Sequence, residues 1–264
     1  MIWDDVSFKT KKQNRSELTV YIPEKEKNIG VSVIICPGGS YRYLGLKKEG
    51  HRVAEYLQRQ GIAAFVLRYR VGLFGNKHPA MIQDLQRAIQ LVKENSDSYG
   101  IDPDKLGAMG FSAGGHLVGT AGIYFDTNFM EPLEITTMTS LKPAFVAMIY
   151  PVITMQQEDI VHKKSRRNLL GKQRTREMEN DMSLEKHVHE DMPPVFLLQC
   201  KGDKTVNYLN SLVFDRALTE KNITRRFLLY DEKGHGFGIA PNGKTTNWHH
   251  EFISWVESIM NKEI

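Results

Sequence analysis

The 264-residue sequence predicts an α/β fold: a mostly parallel central sheet with helices on both faces. Three observations carry this. Short β-branched or apolar runs recur along the chain. Several are apolar at successive positions, as strands covered on both faces should be. Amphipathic stretches lie between them, and strands alternating with helices imply βαβ units.

In chain order the predicted strands are residues 18–22, 31–36, 62–67, 105–109, 145–150, 195–200 and 227–230. Val53 and Leu57 mark a short helix ended by Gly61, since glycine takes the left-handed conformation that closes helices. Ile82, Leu85, Ile89 and Val92 are spaced three, four and three apart, the stripe of an amphipathic helix. Trp248, Phe252, Trp255, Val256 and Ile259 form another stripe, read as core packing. Residues 152–192 break the rhythm: polar, charged and Met-rich, with no clear strand. A loop that long in a compact domain is a functional insertion or carries helices of its own. Its place, after a strand and before Pro193-Pro194, predicts a small cap over the active-site edge. The whole of 1–264 reads as one domain with this insertion.

Composition narrows the function classes. Hydrophobic residues make up 41% and charged residues 25%, as in an ordinary soluble globule. The net charge is +4, and basic residues are mostly interspersed with acidic ones, so no nucleic-acid partner is expected. The cluster Lys163-Lys164-Ser165-Arg166-Arg167 is the exception and reads as a solvated loop. No apolar run approaches the roughly 18 residues of a membrane span. The start, Met1-Ile2-Trp3-Asp4-Asp5, lacks a charged-then-apolar export signal. The expected place is the cytoplasm, or outside it if a signal has been removed. Cys36 and Cys200 each end an apolar run and read as buried free thiols. They form no metal site, and no cofactor is implied. The sequence names no oligomeric state.

The stretch Gly110-Phe111-Ser112-Ala113-Gly114 carries the most chemical information. It reads G-x-S-x-G between a strand-like run and small residues, Gly115 to Gly122, that can start a tightly packed helix. Strand, sharp turn with Ser, then helix is a nucleophile elbow, whose glycines leave room for the strained turn. Ser112 is the candidate nucleophile. A hydroxyl needs a base, and the base an orienting acid. Asp203 follows the strand at 195–200, and His235 follows the strand at 227–230 in a Gly-flanked loop. Both lie just past the carboxyl ends of strands, where open α/β sheets bind ligands. The rival acids fit less well. Asp231 is too near His235 in sequence, Asp215 lies in a helical stretch, and Asp102 and Asp104 read as turn residues. His249 and His250 sit on the C-terminal helical stripe. Acyl transfer also needs oxyanion donors. The backbone N–H of Ala113 is one. Gly39, with Ser40 as a further candidate, supplies the other from Pro37-Gly38-Gly39-Ser40-Tyr41. Tyr41 is expected to line the site as a substrate contact.

Together, Pro37-Gly38-Gly39-Ser40-Tyr41, the elbow with Gly115-His116, Gly202-Asp203 and Gly234-His235-Gly236-Phe237 resemble the α/β-hydrolase esterases. The subset most similar is the bacterial group that includes acetyl xylan esterases and related carbohydrate esterases. Tyr150-Pro151-Val152, Asn168-Leu169-Leu170-Gly171 and Met192-Pro193-Pro194 also resemble that group. The likeness runs from about Val31 to the end. It implies two-step acyl transfer from a small-molecule or oligosaccharide ester, with Ser112, His235 and Asp203 as triad. Two departures stand out. Lipase-like members carry His-Gly-Gly-Gly where this chain has Pro37-Gly38-Gly39-Ser40. Lys204 follows the acid where many relatives have Asp or a small residue. Three alternatives remain at this level: a general carboxylesterase, a prolyl-oligopeptidase-type peptidase, and a non-catalytic binding module. The peptidases usually carry a large extra domain for which this chain has no room. Binding modules usually lose a triad member, and all three are present.

Overall fold

The computed structural model describes residues 1–4, 16–231, 234–239 and 247–260. Seven strands form one sheet: β1 (Glu17–Tyr21), β2 (Ser32–Cys36), β3 (Ala63–Arg68), β4 (Leu106–Phe111), β5 (Val146–Ile149), β6 (Val195–Cys200) and β7 (Arg225–Tyr230). Each matches a predicted run to within two residues at either end. The order is β1-β3-β2-β4-β5-β6-β7, with β1 antiparallel to β3 and every other pair parallel.

The helices are α1 (Arg52–Arg59), α2 (Ala80–Glu94), α3 (Ser96–Tyr99), α4 (Ala113–Ile123), α5 (Lys163–Leu170), α6 (Arg176–Asp181), α7 (Leu209–Glu220) and α8 (Trp248–Met260). One face of the sheet is covered by α1 and α8, through Val53, Leu57, Trp248, Phe252 and Trp255. The aromatic stripe of α8 packs edge-on into the sheet, with Phe252 5.5 Å from Phe196 and Trp255 5.8 Å from Phe145. The other face is covered by α2, α4 and α7, through Leu85, Ile89, Leu117, Val118, Phe214 and Leu218. Every residue of α4 is buried, which explains why its sequence is small and apolar all round.

The strand order places the cleft. The chain leaves β2 toward α1 on one face and leaves β4 toward α4 on the other. Adjacent parallel strands whose connections part in this way open a crevice at their carboxyl ends.

One expectation is corrected here. Residues 163–167 are not a solvated loop but most of the first turns of α5. Arg166 is buried there, bonded to Glu158 at 2.5 Å and 3.4 Å from Glu179. The helix is amphipathic, and Ser165, Arg166, Leu169 and Leu170 face inward. The segment 152–192 does carry helices, α5 and α6. It packs beside α4, α7 and the sheet, burying Val152, Ile153, Met155 and Leu184 in the core. Cys36 and Cys200 are both buried.

A buried polar cluster ties the amino-terminal residues to this body. Asp84 is fully buried on α2. It accepts hydrogen bonds from Trp3 Nε1 at 2.7 Å, Ser16 Oγ at 2.6 Å, and Arg70 N and Nε at 2.6 and 2.8 Å. The Trp3 ring lies 5.4 Å from the Arg70 guanidinium and 5.8 Å from that of Arg87. Asp84→Ala should therefore destabilise the fold by about 3–5 kcal/mol, because it removes the buried carboxylate that Trp3, Ser16 and Arg70 share. Urea unfolding measures this, and a loss under about 1 kcal/mol would refute it.

Candidate active site

The elbow is built by close packing. Ser112 sits between β4 and α4 with φ 55° and ψ −116°, a conformation that L-residues rarely adopt. Its backbone is held on both sides: its N–H donates to Ile149 O at 2.9 Å, and its carbonyl accepts from His116 and Val152 N–H at 3.2 Å each. The two glycines are steric necessities. A Cβ on Gly110 would lie 2.0 Å from Gly114 O, and one on Gly114 would lie 2.0 Å from Cys36 O.

Three distant residues meet at this turn. His235 Nε2 is 2.9 Å from Ser112 Oγ, and His235 Nδ1 is 2.6 Å from Asp203 Oδ2. The Asp203 side chain is wholly buried. Its other oxygen accepts from Thr205 N–H at 2.8 Å and Val206 N–H at 3.0 Å, so both carboxylate oxygens have partners. The rivals lie elsewhere. Asp231 pairs with Lys201 at 2.6 Å on the surface, and Asp215 pairs with Arg225 at 2.5 Å. Asp102 caps a short turn by accepting from Asp104 N–H. His249 and His250 stack against Tyr56.

The loop after β2 faces Ser112. Gly39 has φ 140°, and a Cβ there would lie 2.0 Å from Tyr43 O. Ser40 and Tyr41 follow with φ 56° and 58°. The loop is braced by Tyr69, whose hydroxyl donates to Pro37 O at 2.7 Å, and by Asn168, whose amide donates to Ser40 O at 2.9 Å. Among the described residues no acceptor pairs with the backbone N–H of Gly39, Ser40 or Ala113. Ala113 is the first residue of α4, where helix geometry leaves such groups free.

These residues open onto a cleft of about 430 Å³. Gly38, Gly39, Ser40, Ser112, Thr205, His235 and Gly236 line its floor and one end, and Tyr43, Leu44, Leu46, Lys47, Lys48 and Glu49 another wall. Two expectations fail here. Tyr41 does not line the cleft. The left-handed backbone at 40 and 41 turns its ring into the core, where its hydroxyl bonds His116 Nδ1 at 2.8 Å. Tyr43, 59% exposed, stands at the cleft instead. Nor does the segment 152–192 cover the cleft: among the described residues it supplies none of the lining. Asp159, Ile160 and Val161 border a separate polar hollow beside Asp203 and Lys204. His162 lies near enough to the triad to feel it. Burial, with the His235 charge, pushes its pKa down to about 4.

Two side chains at the site carry no local sequence signal of their role. Glu49 is buried on a π-helical turn, Lys47–His51, that leads into α1. Tyr150, at the end of β5, packs its ring 4.7 Å from that of His235.

The BD-FAE family matches residues 18–218, most of the chain. The chain belongs to the BD-FAE family. Among curated proteins, it is 33% identical over 218 residues to endo-1,4-β-xylanase B of Butyrivibrio fibrisolvens, covering 82% of this chain and 34% of that one. It is 28% identical over 253 residues to an acetylxylan esterase of Xylanibacter ruminicola, covering 93% of this chain and 48% of that one. This BD-FAE chain thus spans about a third to a half of the length of these relatives. Among solved structures, an acetyl ester-xyloside bifunctional hydrolase from Caldicellulosiruptor lactoaceticus superposes with a TM-score of 0.83 at 33% identity, covering 93% of this chain and 88% of that one. A truncated carbohydrate esterase from gut microbiota, at 22% identity and a TM-score of 0.78, shares the fold. The architecture of this BD-FAE member is that of the α/β-hydrolases.

The geometry separates the two acids near His235. Asp203→Asn should lower kcat by about 10⁴-fold, because an amide favours the wrong imidazole tautomer. Asp231→Asn should leave kcat within about twofold, since a surface ion pair contributes little. Steady-state kinetics on p-nitrophenyl acetate compares them, and a reversed order would overturn the assignment.

Proposed function

We propose that the chain is a serine hydrolase of short acyl esters, acetyl foremost, borne by carbohydrates such as acetylated xylan or its oligosaccharides. The observation that carries this is the hydrogen-bonded series Ser112–His235–Asp203, of which Ser112 and His235 line an open cleft. It is supported by the acetylxylan esterase and the acetyl ester-xyloside hydrolase among the relatives.

The mechanism follows from the positions of donors and acceptors. Ser112 Oγ attacks the ester carbonyl while His235 Nε2 takes its proton. Asp203 holds the Nδ1 proton and stabilises the imidazolium. The N–H groups of Ala113 and Gly39 are the donors to the oxyanion, with Ser40 N–H as a further donor. His235 then protonates the departing alcohol. Water, deprotonated by the same nitrogen, releases the acid from Ser112.

The cleft lining favours a small acyl group. Among the described residues the lining combines glycine backbone, hydroxyls and charged side chains with the apolar Tyr43, Leu44 and Leu46. A long acyl chain gains about 0.8 kcal/mol per buried CH₂ only where apolar surface receives it. The basic cluster of α5 takes no part in this, because it does not line the cleft. An open mouth suits a sugar leaving group.

Ser112→Ala should reduce turnover by about 10⁶-fold while the protein stays folded, since the hydroxyl supports no packing. For the wild type, kcat/KM should fall from acetyl through butyryl to octanoyl p-nitrophenyl esters, and acetate should be released from acetylated xylan. A rise toward octanoyl would favour a general carboxylesterase. Cleavage of peptide amides in place of esters would favour the peptidase.

A further inference from the structure

Glu49 is a buried carboxyl at the cleft that the Ser112–His235–Asp203 series does not use. Its two oxygens serve two different loops. Oε2 accepts from the Gly38 N–H at 2.8 Å, beside the proposed oxyanion donor Gly39. Oε1 accepts from the Tyr150 hydroxyl at 2.7 Å. The Tyr150 oxygen in turn accepts from the Gly238 N–H at 3.1 Å, three residues past His235. The Tyr150 ring lies against both His235 and Phe237, with 4.7 Å between ring centres in each case. One carboxyl therefore joins the loop after β2 to the loop after β7.

The chemistry of this arrangement exceeds what packing needs. Burying a carboxylate is costly, and a well-packed neutral side chain would hold the same space at least as stably. The residue also sits on a π-helical turn, a rare element that frequently occurs at functional sites. A Cβ placed on Gly38 would meet Glu49 Oε2 at 2.7 Å and Ser112 Cβ at 2.9 Å, so the carboxyl lies within a few ångströms of the nucleophile.

We propose that Glu49 is a positioning residue of the hydrolysis: its ionised carboxylate fixes the oxyanion loop and, facing His235, stabilises the imidazolium formed during acyl transfer. The proposal rests on the triad reading above. The groups that face Glu49 come from several elements. They are His235, the hydroxyls of Tyr150 and Tyr69, and Lys48 on its own turn. Burial raises the Glu49 pKa above the usual carboxylate range, while Tyr150, the Gly38 N–H, His235 and Lys48 each draw it back down. Asp203 is the second carboxylate facing His235.

The sign follows. An ionised Glu49 favours the protonated imidazole of His235, because opposite charges attract. Glu49→Gln removes the charge and keeps the shape, with the amide oxygen accepting from Gly38 and the NH₂ donating to Tyr150. In that variant the acid limb of kcat/KM moves down the pH scale. The plateau kcat falls by about 10- to 100-fold, the scale of small misplacement or lost charge stabilisation at a reacting centre, with little change in KM.

The experiment measures pH profiles on p-nitrophenyl acetate for wild type, Glu49→Gln and Glu49→Asp, with circular dichroism to check folding. His235 is also titrated by proton NMR in the Ser112→Ala background, with and without Glu49→Gln. Glu49→Asp keeps the charge but shortens the reach, so it should lose kcat yet keep the acid limb at the wild-type position. A folded Glu49→Gln with wild-type kcat and an unmoved His235 titration overturns the proposal. So does an acid limb that moves as far in Glu49→Asp as the charge-free variant is expected to move, which decides the matter even if Glu49→Gln does not fold. Ser112-dependent hydrolysis in the wild type keeps the triad reading intact under either of these results. Absence of that hydrolysis is the separate failure of the reading itself.

Discussion

The site depends on how closely α4 approaches the ends of β2 and β4. Gly110 meets Gly114 backbone, and Gly114 meets the carbonyl of Cys36, at distances that no Cβ could share. That contact forces the chain to reverse within one residue, and Ser112 takes the strained conformation. The strain is sustained because neighbouring strand ends hold the Ser112 backbone from both sides. With the turn fixed, the hydroxyl stands above the sheet and the first N–H of α4 stays free beside it.

Everything else at the site is arranged around that fixed point by loops at the carboxyl ends of strands. The loop after β6 brings a buried Asp203 whose second oxygen is held by its own loop backbone. The loop after β7 brings His235, which bridges Asp203 and Ser112. The loop after β2 lines the same cleft through Gly38, Gly39 and Ser40. Separate elements can converge this closely because the parallel strands end at one edge, and that edge opens where the connections part to opposite faces. The segment 152–192 supports the arrangement from the side. Asn168 holds the Ser40 carbonyl, Lys77 holds Asn168 O at 2.9 Å, and His116 Nε2 lies 2.8 Å from Met182 O.

Much of this was legible in the sequence, for identifiable reasons. A strand covered on both faces must be apolar at consecutive positions, so the inner strands β2 to β6 show as short apolar runs. The elbow needs its glycines for steric reasons, so its pattern is local. Asp203 and His235 sit immediately after strands, so their place at the functional edge followed from chain order. Tyr41 was misplaced because two successive left-handed residues redirect its side chain, and no local pattern announces them. Arg166 looked solvated because a run of basic residues hides which one faces inward to Glu158 and Glu179.

What the sequence by itself determined is the part written in short-range patterns: the sheet and helices, the serine turn, and the order of Ser112, Asp203 and His235 at strand ends. The tertiary structure alone decided which surfaces face the cleft. It turned Tyr41 inward and brought Tyr43 to the mouth. It set the segment 152–192 beside the site instead of over it. It also joined Glu49 to Tyr150, a contact between residues 101 positions apart. Such pairings are fixed by how helices and loops pack across the sheet edge. A carboxyl in a polar helical turn and a tyrosine at a strand end carry no local trace of the partner each will find.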